Sequence, residues 1–171
     1  LDDNIGRILD ALRKNGQIER TIIVFTSDHG DLCGEHGRLN KGVPYEGSAR
    51  IPFLIYIPGK IKGGTVVNEA LSCIDFMPTV MNLMNTKHGQ KVDGRDATTL
   101  FTKSKTDWND MAFIRSTSAG KPWLCAVSDR YKLVYSDMGD PWLFDLEKDP
   151  DEMTNLFNNA ASKKIVTTMT T

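Results

Sequence analysis

The run TIIVFT, Thr21 to Thr26, and the stretch that follows it constrain this chain most. The run is short, β-branched and apolar on both faces, the pattern of a strand buried within a parallel sheet. Ahead of it, Leu1, Ile5, Ile8, Leu9 and Leu12 recur at helical spacing, and Asn15-Gly16 supplies a stop signal. Helix, turn and buried strand make an α/β unit. The next strong strand is FLIYI, Phe53 to Ile57, followed by the turn residues Pro58-Gly59. Between the two strands runs a long irregular segment, Ser27 to Arg50. Loops of that length within a compact domain are usually functional.

That loop opens with DHGDLCGEHG, Asp28 to Gly37. In open α/β sheets ligands bind beyond the carboxyl ends of the strands, where Asp28-His29 stands. A carboxylate and an imidazole there can point at one cation. The carboxylate favours calcium, magnesium or manganese, and the imidazole is compatible with transition metals too. Two ligands do not complete a site, and the alternative is a turn capped by Asp28. On the return arm, NKGVPYEGSARIP presents Lys41, whose ammonium can bind a tetrahedral anion as a point charge or stay solvated as most lysines do. Histidine suits proton transfer near neutrality, so His36 is a weaker catalytic candidate, with loop packing as its alternative role. Arg50 can pair with Glu46 or with an acid across the loop, a structural role in either case. Cys33 has no neighbouring cationic pattern to activate it and reads as inert, while Cys73 and Cys125 lie in apolar contexts and read as core.

Further on, Asp75 is placed to begin a helix, with Pro78 in its first turn and Val80, Met81, Leu83 and Met84 on its apolar face. Residues 86–96 read as a loop. After about Ala97 short strand-like runs succeed one another, MAFIRS, WLCAVS, YKLVYS and WLFDL, separated by polar turns, as in an antiparallel meander. The polar tail from Asn158 reads as a helix prone to fray. Lys121 and Trp123 could reach a substrate rim, although a β-turn beside a core tryptophan fits them better. The net charge of -1 gives no electrostatic case for nucleic acid or an anionic membrane, and no apolar run is long enough to span a bilayer. None of the three cysteines forms a C-x-x-C pair, which argues against structural zinc and leaves the redox compartment undecided. The chain opens inside a helical pattern and is expected to be a piece of something longer.

The motifs together are similar to those of the second half of the sulfatase family. TSDHG follows a strand, KGVPYEGSARIP matches K-G-x-x-Y-E-G-x-x-R-x-P, IDFMPT matches I-D-x-x-P-T, and LFDLEKDPDEMTNL matches the family's late L-Y-D-L-x-x-D-P-x-E-x-x-N-L signature. The resemblance implies an α/β fold: the last strands and helices of an alkaline-phosphatase-like sheet over residues 1–96, then a small antiparallel sheet and terminal helix over 97–171. It implies that Asp28 and His29 ligate a divalent cation, usually calcium, with His29 standing where many members have Asn. Lys41 would bind the sulfate oxygens, Glu46 and Arg50 would hold the loop, and the LFDLEKDPDEMTNL segment would be structural. The family's nucleophile is a formylglycine made from Cys or Ser in [CS]-x-P-x-R, and no such motif occurs here. The fragment alone is therefore expected to be inactive, to bind metal weakly, and to self-associate through exposed apolar surface. The parent would act on a sulfated small molecule or glycan in the periplasm or outside the cell. The alternatives are a phosphodiesterase or phosphonate monoester hydrolase of the same superfamily, or a non-catalytic module that binds an anion or a partner.

Overall fold

The computed structural model describes residues 1–86, 89–102, 106–116, 120, 122–137 and 139–170. The chain divides into two compact units, one of Leu1–Ser27 with Pro52–Val66, the other of Asp28–Ile51 with Val67–Thr171.

In the first unit, helix α1 (Asp2–Lys14) carries Asp2 and Asp3 in its first turn and Arg13 and Lys14 in its last, charges that complement the helix dipole. Gly16, in the left-handed region at φ 64°, lets the chain leave the helix where the sequence signalled a stop. Strand β1 (Ile23–Thr26) pairs with β2 (Phe53–Tyr56), and the pairing is antiparallel, with Ile23 opposite Tyr56 and Thr26 opposite Phe53. This corrects the expectation of a parallel strand. Apolarity on both faces reports burial and not direction, and direction is set by how the intervening loop brings the chain back. Nor is β1 fully buried here: Phe25 is exposed, as are Leu54 and Tyr56 of β2. Phe25 faces Leu54 across the pair, and Leu54 and Tyr56 lie two residues apart, so the three share one apolar face.

In the second unit, the 28–51 segment holds one 3-10 turn, Glu35–Gly37, and a short helix α2 (Glu46–Ala49). Residues Cys73–Asp75 form a 3-10 turn leading into α3 (Phe76–Leu83). Asp75 opens this helical segment as anticipated. Its buried carboxylate accepts the backbone N–H groups of Ser72 at 3.0 Å and Arg95 at 2.7 Å. Cys73, expected in the core, is exposed. In this tight turn it is Asp75, with its backbone donors, that takes the inward position. Thr79 accepts the N–H of Ala97 at 2.9 Å and so ties α3 to α4 (Thr98–Thr102), a helix the sequence did not announce.

Strands β3 (Ala112–Arg115), β4 (Trp123–Val127), β5 (Tyr131–Ser136) and β6 (Trp142–Asp145) form the anticipated antiparallel meander in that order. Side-chain alternation gives this sheet two different faces. On one, Ala126, Leu133 and Leu143 join Met169 of α5 (Lys163–Thr170), with Leu156, Phe157, Ile165 and Val166 packed around them. The polar-looking tail is thus an amphipathic helix covering the sheet. The other face carries Trp123, Cys125, Lys132, Trp142 and Phe144, and it meets the 28–51 segment. Burial raises the Cys125 thiol to about 12.

Candidate functional site

The loop that begins at Asp28 is held by two glycines. Gly30 donates its N–H to the Ser48 carbonyl at 3.0 Å, and a Cβ on Gly30 would run into the carbonyl oxygen of Gly47. A Cβ on Gly47 would in turn strike the Glu35 carboxylate and lie 3.1 Å from a Leu32 methyl. Leu32 is almost completely buried beneath this contact. The outgoing arm with Asp28-His29 and the return arm from Lys41 to Arg50 therefore pack closely, backbone against backbone at Gly30, where a side chain has no room, and against the Glu35 and Leu32 side chains at Gly47.

Asp28 and His29 come together at the start of the outgoing arm. Asp28 Oδ1 accepts the His29 N–H at 3.0 Å, and His29 Nδ1 lies 2.9 Å from the Gly30 carbonyl. With Nδ1 as donor in that bond, the basic lone pair of the ring sits on Nε2. Nε2 is 3.6 Å from Asp28 Oδ2, and the Asp28 side chain is 85 % exposed. A carboxylate oxygen and an imidazole nitrogen thus face one small volume, as two ligands of a cation would. Among the described residues no group of three or more His, Cys, Asp or Glu side chains is placed to hold a metal ion. The donor set fits part of a coordination shell.

On the return arm Lys41 is exposed. The residue behind it, Gly42, is anchored on both sides: its N–H donates to Ser48 Oγ at 3.0 Å, and its carbonyl accepts from the Trp123 indole at 3.1 Å. Gly42 has φ 89°, a conformation that favours glycine. Tyr45 stacks on His36 with ring centroids 3.7 Å apart and on Trp142 of β6 at 5.3 Å. Burial raises the Tyr45 phenol above its ordinary range, against the pull of Arg38. His36 is thereby packed by its ring face, with its backbone at φ 52°. Arg50 Nη1 lies 3.7 Å from Glu46 Oε2.

The densest cluster beneath this arm is one the sequence reading passed over. Lys132, fully buried in β5, places Nζ 2.6 Å from Glu46 Oε1, 2.7 Å from Glu152 Oε1 and 2.9 Å from the Pro44 carbonyl. Glu152 Oε2 accepts the Glu46 N–H at 2.6 Å. The signal was a lysine inside the apolar run YKLVY, where a charge needs a partner. Its partner Glu152 was hidden among the five acids of the DLEKDPDE stretch. Trp123 is half-buried and spends its indole N–H on Gly42; Lys121 lies outside the described residues.

Three comparisons bear on this arrangement. The family model for the C-terminal region of N-sulphoglucosamine sulphohydrolase matches residues 34–171. An arylsulfatase of Clostridium perfringens is 38% identical over 96% of this chain and 35% of its own length. A structure in complex with its substrate D-glucosamine-2-N,6-O-disulfate superposes with TM-score 0.83 and 31% identity, over 99% of this chain and 36% of the other. The phosphonate monoester hydrolase of Agrobacterium radiobacter superposes with TM-score 0.82 and 28% identity, over 96% of this chain and 36% of that one. The chain spans about a third of the length of these relatives.

Proposed function

The chain belongs to the sulfatase family, and on that premise we propose that it is the C-terminal part of an enzyme that hydrolyses sulfate esters. The observation that carries this reading is the Gly30–Gly47 packing, which makes a single body of the Asp28-His29 arm and the Lys41 arm. Asp28 and His29 would supply two ligands of a divalent cation, calcium being the first choice. The cation would neutralise negative charge on the ester's oxygens. Lys41, on a backbone fixed at Gly42, would add a positive charge to the same anion and stabilise the charge that develops as the ester breaks. His36 is assigned to packing against Tyr45, and Glu46 and Arg50 to holding the return arm. The remaining ligands and the formylglycine nucleophile would come from chain outside these residues, which contain no [CS]-x-P-x-R. The substrate class is a sulfated small molecule or glycan.

The test is hydrolysis of 4-nitrophenyl sulfate by the full-length parent and its Lys41→Ala and Asp28→Asn variants. Each substitution is expected to lower kcat/KM by about a hundredfold or more. A parent that hydrolyses the sulfate equally well with Lys41→Ala refutes the assignment. The likeness to a phosphonate monoester hydrolase supports a second reading, so phenyl phosphonate esters belong in the same assay. Preference for them over sulfate would favour that reading. For these residues by themselves we propose no catalysis and weak metal binding. The shared apolar face of Phe25, Leu54 and Tyr56 supports self-association of this chain, which light scattering would test. No helix among the described residues is long and apolar enough to cross a membrane.

A further inference from the structure

We infer that Lys132 of β5 and Glu152, beyond the end of β6, are positioning residues for Lys41, acting through the return arm. This rests on the anion-binding role proposed above for Lys41.

The argument begins with what these side chains give up. Lys132 is fully buried, and the Glu152 side chain is 2 % exposed. Removing a lysine and a glutamate from water is costly for each ion before pairing. Apolar residues of similar volume are often as stable or better, so stability alone does not explain the pair. Glu152 also holds φ 52°, a backbone region where a non-glycine residue is strained. Glycine would relieve that strain, yet only a side chain can reach beneath the loop from there. Both carboxylate oxygens are used, Oε1 on Lys132 Nζ and Oε2 on the Glu46 N–H.

The targets of the cluster are consistent with this. Among the described residues, the hydrogen bonds and ion pairs of the Lys132 and Glu152 side chains outside their own pair end on the return arm: the Pro44 carbonyl, the Glu46 N–H and the Glu46 carboxylate. The charges balance as two cations and two anions once Arg50, beside Glu46, is included. Pro44 is three residues from Lys41, and Gly42 between them is pinned by Ser48 and by Trp123 of the same sheet. The Lys41 backbone is therefore referenced to β4 and β5. A lysine that must meet an anion gains from this, because a 1 Å misplacement can lower rate a hundredfold.

The principal variant is Glu152→Gln in the full-length parent, which keeps size and shape and removes one charge from the cluster. Lys132→Met strands two carboxylates and risks failing to fold, so it is secondary. Glu152→Gln is expected to lower kcat/KM for 4-nitrophenyl sulfate by about tenfold to a hundredfold. In a Lys41→Ala background the same change is expected to cost less than about twofold, since two residues acting through one group are non-additive. Equal losses in both backgrounds, or no loss in the first, would overturn the inference. Amide hydrogen exchange across Gly42–Ala49 provides a readout independent of turnover. It should quicken by about tenfold or more in Glu152→Gln, and unchanged exchange there also refutes the role. A parent with no sulfatase activity, or one indifferent to Lys41→Ala, instead refutes the reading of Lys41 itself.

Discussion

Replacing Lys132 with methionine isolates the energetic part of the buried cluster. Methionine nearly matches lysine in length and volume, so little cavity is created and the change is chiefly one of charge. Three acceptors lose their partner: Glu46 Oε1, Glu152 Oε1 and the Pro44 carbonyl. They do not lose equally. Glu46 is 19 % exposed and keeps Arg50 at 3.7 Å, so water and a second cation still serve it. Glu152 is 2 % exposed and keeps only the Glu46 N–H among the bonds described for its carboxylate, so most of the penalty falls there. Breaking a buried pair by removing one partner typically destabilises by about 3–5 kcal/mol. Urea unfolding followed by tryptophan fluorescence would measure it, since Trp142 stacks on Tyr45, the residue between Pro44 and Glu46. Adding Glu152→Gln to Lys132→Met should recover a large part of the loss, because the stranded charge is then gone. A loss of about 1 kcal/mol or less, the yield of a surface pair, would refute the reasoning. So would a double variant whose losses simply add.

Gly30→Ala should destabilise by about 2–3 kcal/mol because the new Cβ meets unyielding backbone at Gly47. Gly6→Ala in α1 meets nothing within 4 Å and should stabilise by about 0.5–1 kcal/mol, and thermal melts of the two variants would check the contrast. Arg130 donates two hydrogen bonds to Asp145, at 3.0 and 2.8 Å, and holds its carboxyl below the usual range. A depressed folded-state value contributes stability that is present above the ordinary carboxylate value, about pH 4, and lost as pH falls through the folded value. The melting difference between the protein and Arg130→Met should accordingly hold from pH 5 to pH 8 and close toward pH 2; a constant gap would contradict it. At pH 8 a disulfide reagent should titrate Cys33 and Cys73 quickly and leave Cys125 unreacted, its thiol being buried and pushed up to about 12. Three fast thiols would show that β4 opens far more readily than the structure implies.

Short-range chemistry in this chain was legible as sequence. Apolar spacing marked α1, Asn15-Gly16 marked its end, and alternating runs between polar turns marked the four-stranded meander. These signals act over a few residues, so they survive without knowledge of the fold. The order of the motifs identified the family, and Asp28, His29 and Lys41 followed as candidates. What each strand or side chain faces is a long-range matter and went unseen. Periodicity of TIIVFT could not say that β1 runs antiparallel to β2, because both directions use the same residue types. Cys73 sat in an apolar stretch, yet the turn gave the inward place to Asp75. The need for Gly30 and Gly47 becomes visible only when the two are in contact. Lys132 and Glu152 are separated by a strand and two turns in sequence, and their pairing depends on how the chain returns after β6. The sequence by itself thus determined which residues carry charge, ligand atoms and helix or strand periodicity. Only the tertiary structure decided which of them meet, because burial turns an ordinary lysine into one that must find carboxylates, and here it found them under the arm that bears Lys41.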